Sequence, residues 1–350
     1  MRAFLRITAR LLAAVVFVAS AYFVWWYYFD GRAPGPRPDL ERVPEAVVPA
    51  PPGFPTTNAL MLSFVLKRIP VADLAAPHPA PEGVTVERDL VYGTLGERQL
   101  KLDVYYPTAK PATPTPILLF IHGGGWSGGD KRDYEIYCND FAKLGYVVSS
   151  MGYRFAKEAK FPGCVQDTNA AIRWLRTNAA RFGGDPARIA AIGGSAGGHL
   201  SMMAGYASDV PEFQGEAGNP GVSTRIQAVV DLYGPTDLTT PEAQVHPTIT
   251  GFIGKPYTEA PEAYKQLSPI THLDKGDPPT LIIQGTLDTL VTPDQSDKLA
   301  AKLKELGVDY WYDRVAGWPH TMDIALPVYA HTSDVIAKFL RAQGLAPSAS

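Results

Sequence analysis

The sequence predicts an α/β protein with a mainly parallel sheet and helices on both of its faces. Short apolar runs alternate along the chain with helical-period stretches of roughly 10–20 residues, the order that builds parallel strands through crossover helices. Residues 117–121, Ile-Leu-Leu-Phe-Ile, are apolar throughout, as a strand covered on both faces must be. Two glycine clusters, at residues 123–125 and 193–198, each stand directly after or at the end of such a run.

The elements follow in order. Residues 84–92 and 100–106 read as strands, then 117–121, 146–150, 189–192, 226–232, 280–284 and 309–315. Helical spacing covers residues 134–144, 163–182, 196–207, 293–306 and 324–340. On the long second helix Ala170, Ala171, Trp174 and Leu175 share one face. Residues 236–273 break the alternation. They are irregular and proline-spotted, and an insertion of that length is expected to act as a small lid.

Composition bounds the answer. The chain has 350 residues, 46 % hydrophobic and 19 % charged, with a net charge of −3. That suits one large catalytic domain, expected over residues 83–345. Both charge signs are scattered, so no clustered basic surface exists for nucleic acid. No repeat of 20–50 residues points to a solenoid. The two cysteines, Cys138 and Cys164, match no zinc or redox spacing and are expected as buried or free thiols.

The first 30 residues are expected to form a transmembrane helix. Arg2, Arg6 and Arg10 flank an uncharged stretch over residues 11–29 that ends in Tyr22, Phe23, Trp25, Trp26, Tyr27 and Tyr28. At 1.5 Å per residue this run is roughly 28 Å long. Aromatic rings favour the membrane–water boundary, and the basic flank favours a cytoplasmic N-terminus with the domain outside. Arg32 and Arg37 weaken that orientation. A cleaved signal peptide ending at Ala19-Ser20-Ala21, with secretion, is the alternative. Residues 31–82 read as a proline-rich linker, a tether or a surface wrap, with a short amphipathic helix bearing Leu62, Val65, Leu66 and Ile69.

Chemistry concentrates in four places. Gly193-Gly194-Ser195-Ala196-Gly197 joins a strand to a helix, the G-x-S-x-G turn that exposes a serine hydroxyl at a helix N-terminus. His122-Gly123-Gly124-Gly125-Trp126 follows a buried strand, the loop type that supplies backbone donors for an oxyanion. Gly124 and Gly125, with Ala196, are the expected oxyanion-hole donors. A hydroxyl is a weak nucleophile and needs a base. Of seven histidines, His320 follows the last strand, where the base of this turn type falls in chain order. His122 braces the glycine loop, His199 and His331 read as packing residues, His78 lies in the proline-rich segment, and His246 and His272 lie in or near the lid. Asp288, in the loop after residues 280–284, is the expected acid that orients the base, with Asp237 in reserve. Trp126, Tyr153 and Phe155 are candidates for lining the substrate pocket or, equally, core aromatics. No residue is assigned to a metal.

These motifs resemble α/β-hydrolase esterases of the hormone-sensitive-lipase and feruloyl-esterase-like (BD-FAE) groups. The resemblance rests on the His122–Trp126 loop, the turn at Ser195, Gly285-Thr286-Leu287-Asp288 and Trp318-Pro319-His320, with Gly128-Gly129-Asp130-Lys131 and Tyr153-Arg154. It implies an α/β-hydrolase fold and hydrolysis of small-molecule or lipid carboxylic esters through an acyl-enzyme, without metal or organic cofactor. A serine peptidase or amidase of the same fold and a catalytically silent scaffold are the other readings. Gln284 departs from the pattern, since a histidine often precedes the Gly-Thr pair. The N-terminal helix and proline linker lie outside the resemblance.

Overall fold

Apolar and β-branched runs form the strands, and the glycine-rich turns gather at one end of them. The computed structural model describes residues 2–29, 43, 47–74, 76 and 78–348, with side chains from residue 15 onward. Among these, eight strands form one sheet: β1 (Val84–Leu95), β2 (Arg98–Pro107), β3 (Thr115–Ile121), β4 (Val147–Met151), β5 (Gly184–Gly194), β6 (Ala228–Leu232), β7 (Thr280–Gly285) and β8 (Tyr310–Val315). Their spatial order is β1-β2-β4-β3-β5-β6-β7-β8. The β1–β2 and β2–β4 pairs are antiparallel, and every other pair is parallel.

The helices are α1 (Arg2–Tyr28), α2 (Thr57–Val65), α3 (Glu135–Lys143), α4 (Gly163–Phe182), α5 (Ala196–Tyr206), α6 (Pro241–Val245), α7 (Pro247–Ile253), α8 (Pro261–Leu267), α9 (Pro293–Leu306) and α10 (Leu326–Ala342). The sheet separates two apolar layers. Along β3, Ile117, Leu119 and Ile121 face a core shared with α4, α5 and α9. Leu118 and Phe120 face the opposite core, shared with α3 and α10. This explains why residues 117–121 carry no polar position: both faces are covered. From β3 the chain goes to β4 on one side, and β5 lies on the other. That reversal opens a crevice at the strands' C-terminal ends, where sites of this architecture form.

Three pieces lie outside the sheet: α1, α2 and the proline segment. α1 is helical, but it includes Arg2, Arg6 and Arg10. Among the described residues no helix is long and apolar enough to cross a membrane, so the expected transmembrane span is not supported. α2 stops at Val65, and Lys67 takes a positive φ of 52°. Its buried face is Ala59, Leu60 and Ser63; Val65 and Leu66, two of the residues at helical spacing, are exposed. Of the proline segment, residues 31–42 and 44–46 lie outside the described residues. The rest is no free tether. Val48 donates its N–H to Asp334 Oδ2 at 3.1 Å, and Phe54 donates to the carbonyl of Gly317 at 3.0 Å. In the expected lid region, α6, α7 and α8 each begin at a proline, which suits a first helical turn. Cys138 and Cys164 are both free and buried.

His331 joins the wrap to the domain. Its Nδ1 lies 2.9 Å from the Val48 carbonyl and its Nε2 lies 2.6 Å from Asp313 Oδ2. Burial opposes the charged imidazole, but the Asp313 carboxylate outweighs it and holds the pKa above the ordinary value. A raised folded value means stability fully present below the unfolded pKa of about 6.5 and lost as pH rises through the folded one. The melting temperature of the native chain should therefore exceed that of His331→Gln by more at about pH 6 than at about pH 9. Equal differences at the two values would sink this assignment.

Candidate active site

The turn between β5 and α5 sets the site. Ser195 takes φ 56° and ψ −121°, a region that non-glycine residues seldom occupy. Its N–H donates to the Leu232 carbonyl of β6 at 2.8 Å, which fixes the strained backbone to the sheet. Glycine at 197 is a steric requirement. A Cβ there would overlap the carbonyl of Ile121 at the end of β3 and come within 2.8 Å of the His122 carbonyl. The hydroxyl is thus presented at the first turn of α5, where the helix N-terminus favours developing negative charge.

The base and acid arrive from two other loops. His320, after β8, sets Nε2 at 2.9 Å from Ser195 Oγ and Nδ1 at 2.7 Å from Asp288 Oδ2. Asp288 follows β7 and is buried. Its Oδ1 accepts the N–H groups of Leu290 and Val291, each at 2.9 Å. The structure thus brings together the three side chains picked from sequence. Asp237 is elsewhere, accepting from Thr239.

Gln284 belongs to this assembly. Its amide donates to Asp288 Oδ2 at 3.1 Å and to the carbonyls of Gly285 and Val291, while its oxygen accepts from Ser296 at 3.0 Å. The residue that departs from the family pattern therefore holds the acid's second oxygen. Tyr233 and Asp323 also escaped the sequence reading. The Tyr233 ring packs edge-on to His320 with centroids 4.8 Å apart, and its hydroxyl donates to Asp323, as does that of Tyr137. Burial pushes the Asp323 carboxyl above its ordinary pKa, while the two hydroxyls pull it back. The only sequence signal was position: Tyr233 at a strand end, and Asp323 three residues beyond His320.

The glycine loop lies across the crevice. Gly124, Gly125 and Trp126 all have positive φ, and the Gly124 carbonyl is turned back to accept from Ser127 and Gly128, both at 3.1 Å. Among the described residues no carbonyl takes the N–H of Gly124, Gly125 or Ala196. These are donors in search of an acceptor beside Ser195. His122 sits behind the loop, buried, with Nδ1 2.8 Å from the Gly123 carbonyl, and burial lowers its pKa.

Two chambers open on Ser195. The larger, about 450 Å³, is lined by Gly124, Tyr134, Tyr233, His320 and Asp323, with Ala72 and Leu74 from the N-terminal segment. The smaller, about 260 Å³, is lined by Trp126, Ala196, Leu238, His246 and Ile249. Trp126 therefore reaches a chamber, but it is nearly buried, stacked on Phe252 with centroids 4.7 Å apart. Tyr153 and Phe155, considered as pocket residues, line neither chamber. The Tyr153 ring stacks on His122 at 4.4 Å, and its hydroxyl donates to the His122 carbonyl at 2.9 Å. Arg154, beside it, is tied to buried Asp167 at 2.7 Å. Tyr153 thus braces the glycine loop from behind.

His199, one turn past Ser195, is a fully buried linker. Its Nε2 lies 2.7 Å from the Leu267 carbonyl of α8, and its Nδ1 accepts from Trp126 Nε1 at 3.3 Å. Burial depresses its pKa to about 4, which keeps it neutral and suited to that donor–acceptor pair. Among the described residues no three His, Cys, Asp or Glu side chains gather as a metal site.

The sheet order and the Ser195–His320–Asp288 geometry define an α/β hydrolase. The chain belongs to the BD-FAE family, whose model matches residues 102–303. It is similar to LipM of Mycobacterium tuberculosis, named a probable carboxylic ester hydrolase, at 31 % identity over 72 % of this chain and 60 % of that one. It is also similar to esterase LipC of the same organism, at 31 % identity over 72 % of this chain and 66 % of LipC. The chain thus spans a little under two thirds of the length of these relatives. Among solved structures, esterase Est2 of Thermogutta terrifontis superposes with a TM-score of 0.66 at 28 % identity, covering 79 % of this chain and 98 % of Est2. A carbohydrate esterase from gut microbiota gives 0.67 at 29 % identity, covering 76 % and 99 %.

Removing the brace on Asp288 should weaken turnover without unfolding the protein. Gln284→Leu is expected to lower kcat/KM for a p-nitrophenyl ester about tenfold, the loss of roughly one charged hydrogen bond. A value within twofold of the parent would show that the two backbone N–H groups suffice.

Proposed function

We propose that the protein is a serine carboxylic-ester hydrolase that works through an acyl-enzyme. The observation that carries this reading is the unbroken chain Ser195 Oγ–His320 Nε2 at 2.9 Å and His320 Nδ1–Asp288 Oδ2 at 2.7 Å, opening on two chambers beside donor N–H groups. The relatives' names, carboxylic ester hydrolase and esterase, support the same class.

The steps follow from the atoms. His320 Nε2 takes the Ser195 proton as Oγ attacks the ester carbonyl carbon. The carbonyl oxygen becomes an oxyanion facing the N–H groups of Gly124, Gly125 and Ala196, each worth about 3–4 kcal/mol of barrier when well aimed. Asp288 holds the imidazole in one tautomer and stabilises its charged form. As the tetrahedral species collapses, His320 Nε2 returns the proton to the leaving alcohol. Water then gives a proton to His320 Nε2 as its oxygen attacks the acyl carbon; the second tetrahedral species breaks its bond to Ser195 Oγ, which takes that proton back from His320, and the carboxylic acid leaves. The acyl and alcohol parts divide between the two chambers, and α6 and α7 serve as a lid over the smaller one. Small-molecule or lipid esters of moderate size suit those volumes.

The location proposed is a membrane surface outside the cytoplasm, with α1 as the attachment. Arg2, Arg6 and Arg10 ahead of an apolar stretch with a Trp- and Tyr-rich end support it. Recovery of the full chain in the soluble fraction after cell lysis, without detergent, would remove that attachment.

The activity is tested with p-nitrophenyl esters from acetate to palmitate. Ser195→Ala should reduce kcat at least about a thousandfold on any ester that the parent cleaves. A folded parent inert on the whole series, yet active on amides, would make the protein an amidase or peptidase; inert on both, it would be a scaffold.

A further inference from the structure

Residues 47–74 lie ahead of the family match at 102–303, yet they touch both the loop that carries His320 and the larger chamber. The loop from Ala316 to Leu326 carries His320. Before His320, the Phe54 N–H donates to the Gly317 carbonyl at 3.0 Å. Trp318 Nε1 donates to the Pro51 carbonyl at 3.4 Å, and the Phe54 ring meets Trp318 edge-on at 5.5 Å. After His320, Ala72 N–H donates to the Ile324 carbonyl at 2.7 Å, and Leu326 N–H donates to the Pro70 carbonyl at 2.9 Å. Val71 and Ala325 form an antiparallel bridge. The loop is therefore gripped on both sides of the base by one stretch of chain. Two residues later that stretch turns inward, and Ala72 and Leu74 become a wall of the larger chamber, facing Ser195 and His320.

We infer that residues 47–74 form a strap that is a working part of the active site: it positions His320 by clamping its loop, and it sets the size of the group accepted by the larger chamber. The proposal rests on the esterase reading above for its kinetic arm only. Backbone-to-backbone bonds at both ends of a loop limit its opening, and a base must stay within hydrogen-bond reach of the hydroxyl it serves. The fit is close enough to be tested at one atom. A Cβ at Gly53 would overlap the Ala316 carbonyl and stand 2.6 Å from the Gly317 Cα, so Gly53→Ala must lift the strap from the loop. Leu74 is 39 % exposed, so enlarging it changes the chamber and leaves the core alone.

Both variants are made in the full chain. Gly53→Ala should raise amide hydrogen exchange across residues 316–326 at least about tenfold relative to α5, and lower kcat about tenfold for every ester with KM within about twofold. Leu74→Trp should leave exchange unchanged. Assayed on one series varied in the acyl group and one varied in the alcohol, it should cut kcat/KM about tenfold for the largest members of one series only. Unchanged exchange and kcat in Gly53→Ala would overturn the clamp, and a uniform effect of Leu74→Trp on both series would overturn the wall. A parent inert toward every ester defeats the esterase reading instead; exchange in Gly53→Ala then decides the clamp, and the chamber wall falls with the esterase reading.

Discussion

Everything reactive in this molecule depends on how closely the first turn of α5 approaches the end of β3. Gly197 lies against the Ile121 carbonyl with no room for a side chain. That contact lets β5 turn sharply into the helix and leaves Ser195 in a left-handed backbone conformation. Such a residue costs about 1–3 kcal/mol and persists only where its surroundings over-determine it. Here they do: β6 receives the Ser195 N–H, and β3 and β6 flank β5 on either side. The sheet is thus the source of the strain and also what contains it.

Around this turn the site is assembled from pieces far apart in sequence, each held by a buried polar contact. The glycine loop leans on His122 and Tyr153. The acid leans on Gln284 and two backbone N–H groups. His199 ties α5 to α8 and to Trp126 through one neutral ring. A neutral histidine has one donor and one acceptor, and both are used, so desolvation leaves nothing unpaired. The site's geometry is held mainly by hydrogen bonds among groups that never meet a substrate.

The parts written in local pattern were legible. Residues 117–121 announced a strand covered on both faces, and the glycine clusters announced the turns at Ser195 and Gly124. His320 and Asp288 were picked from chain order together with their places in loops after strands, with Asp237 held in reserve. What escaped lay in tertiary contact. Gln284 looked like a departure from a motif because its three acceptors come from a turn that only the fold closes. Tyr153 stood open between pocket and core because an aromatic after a strand has two faces to choose from, and the sequence does not say which is taken. The buried face of α2 was not legible for a related reason. Its residues are apolar nearly all round, so periodicity could not orient it, and contact with the core buried Leu60 and left Val65 in solvent. The proline segment offered no periodicity at all, and its path over the His320 loop is set by backbone bonds that leave no sequence signature.

Cys138 and Cys164 lie in separate cores on opposite faces of the sheet, unpaired and fully buried. Burial raises both thiol pKa values, and it is the thiolate that attacks oxidants, metals and alkylating reagents. The protein's covalent framework is consequently indifferent to the redox state around it: neither an oxidising nor a reducing compartment has a bond to make or break. The same silence makes the molecule convenient to label, because a cysteine placed on its surface would be the one thiol that a maleimide dye could reach.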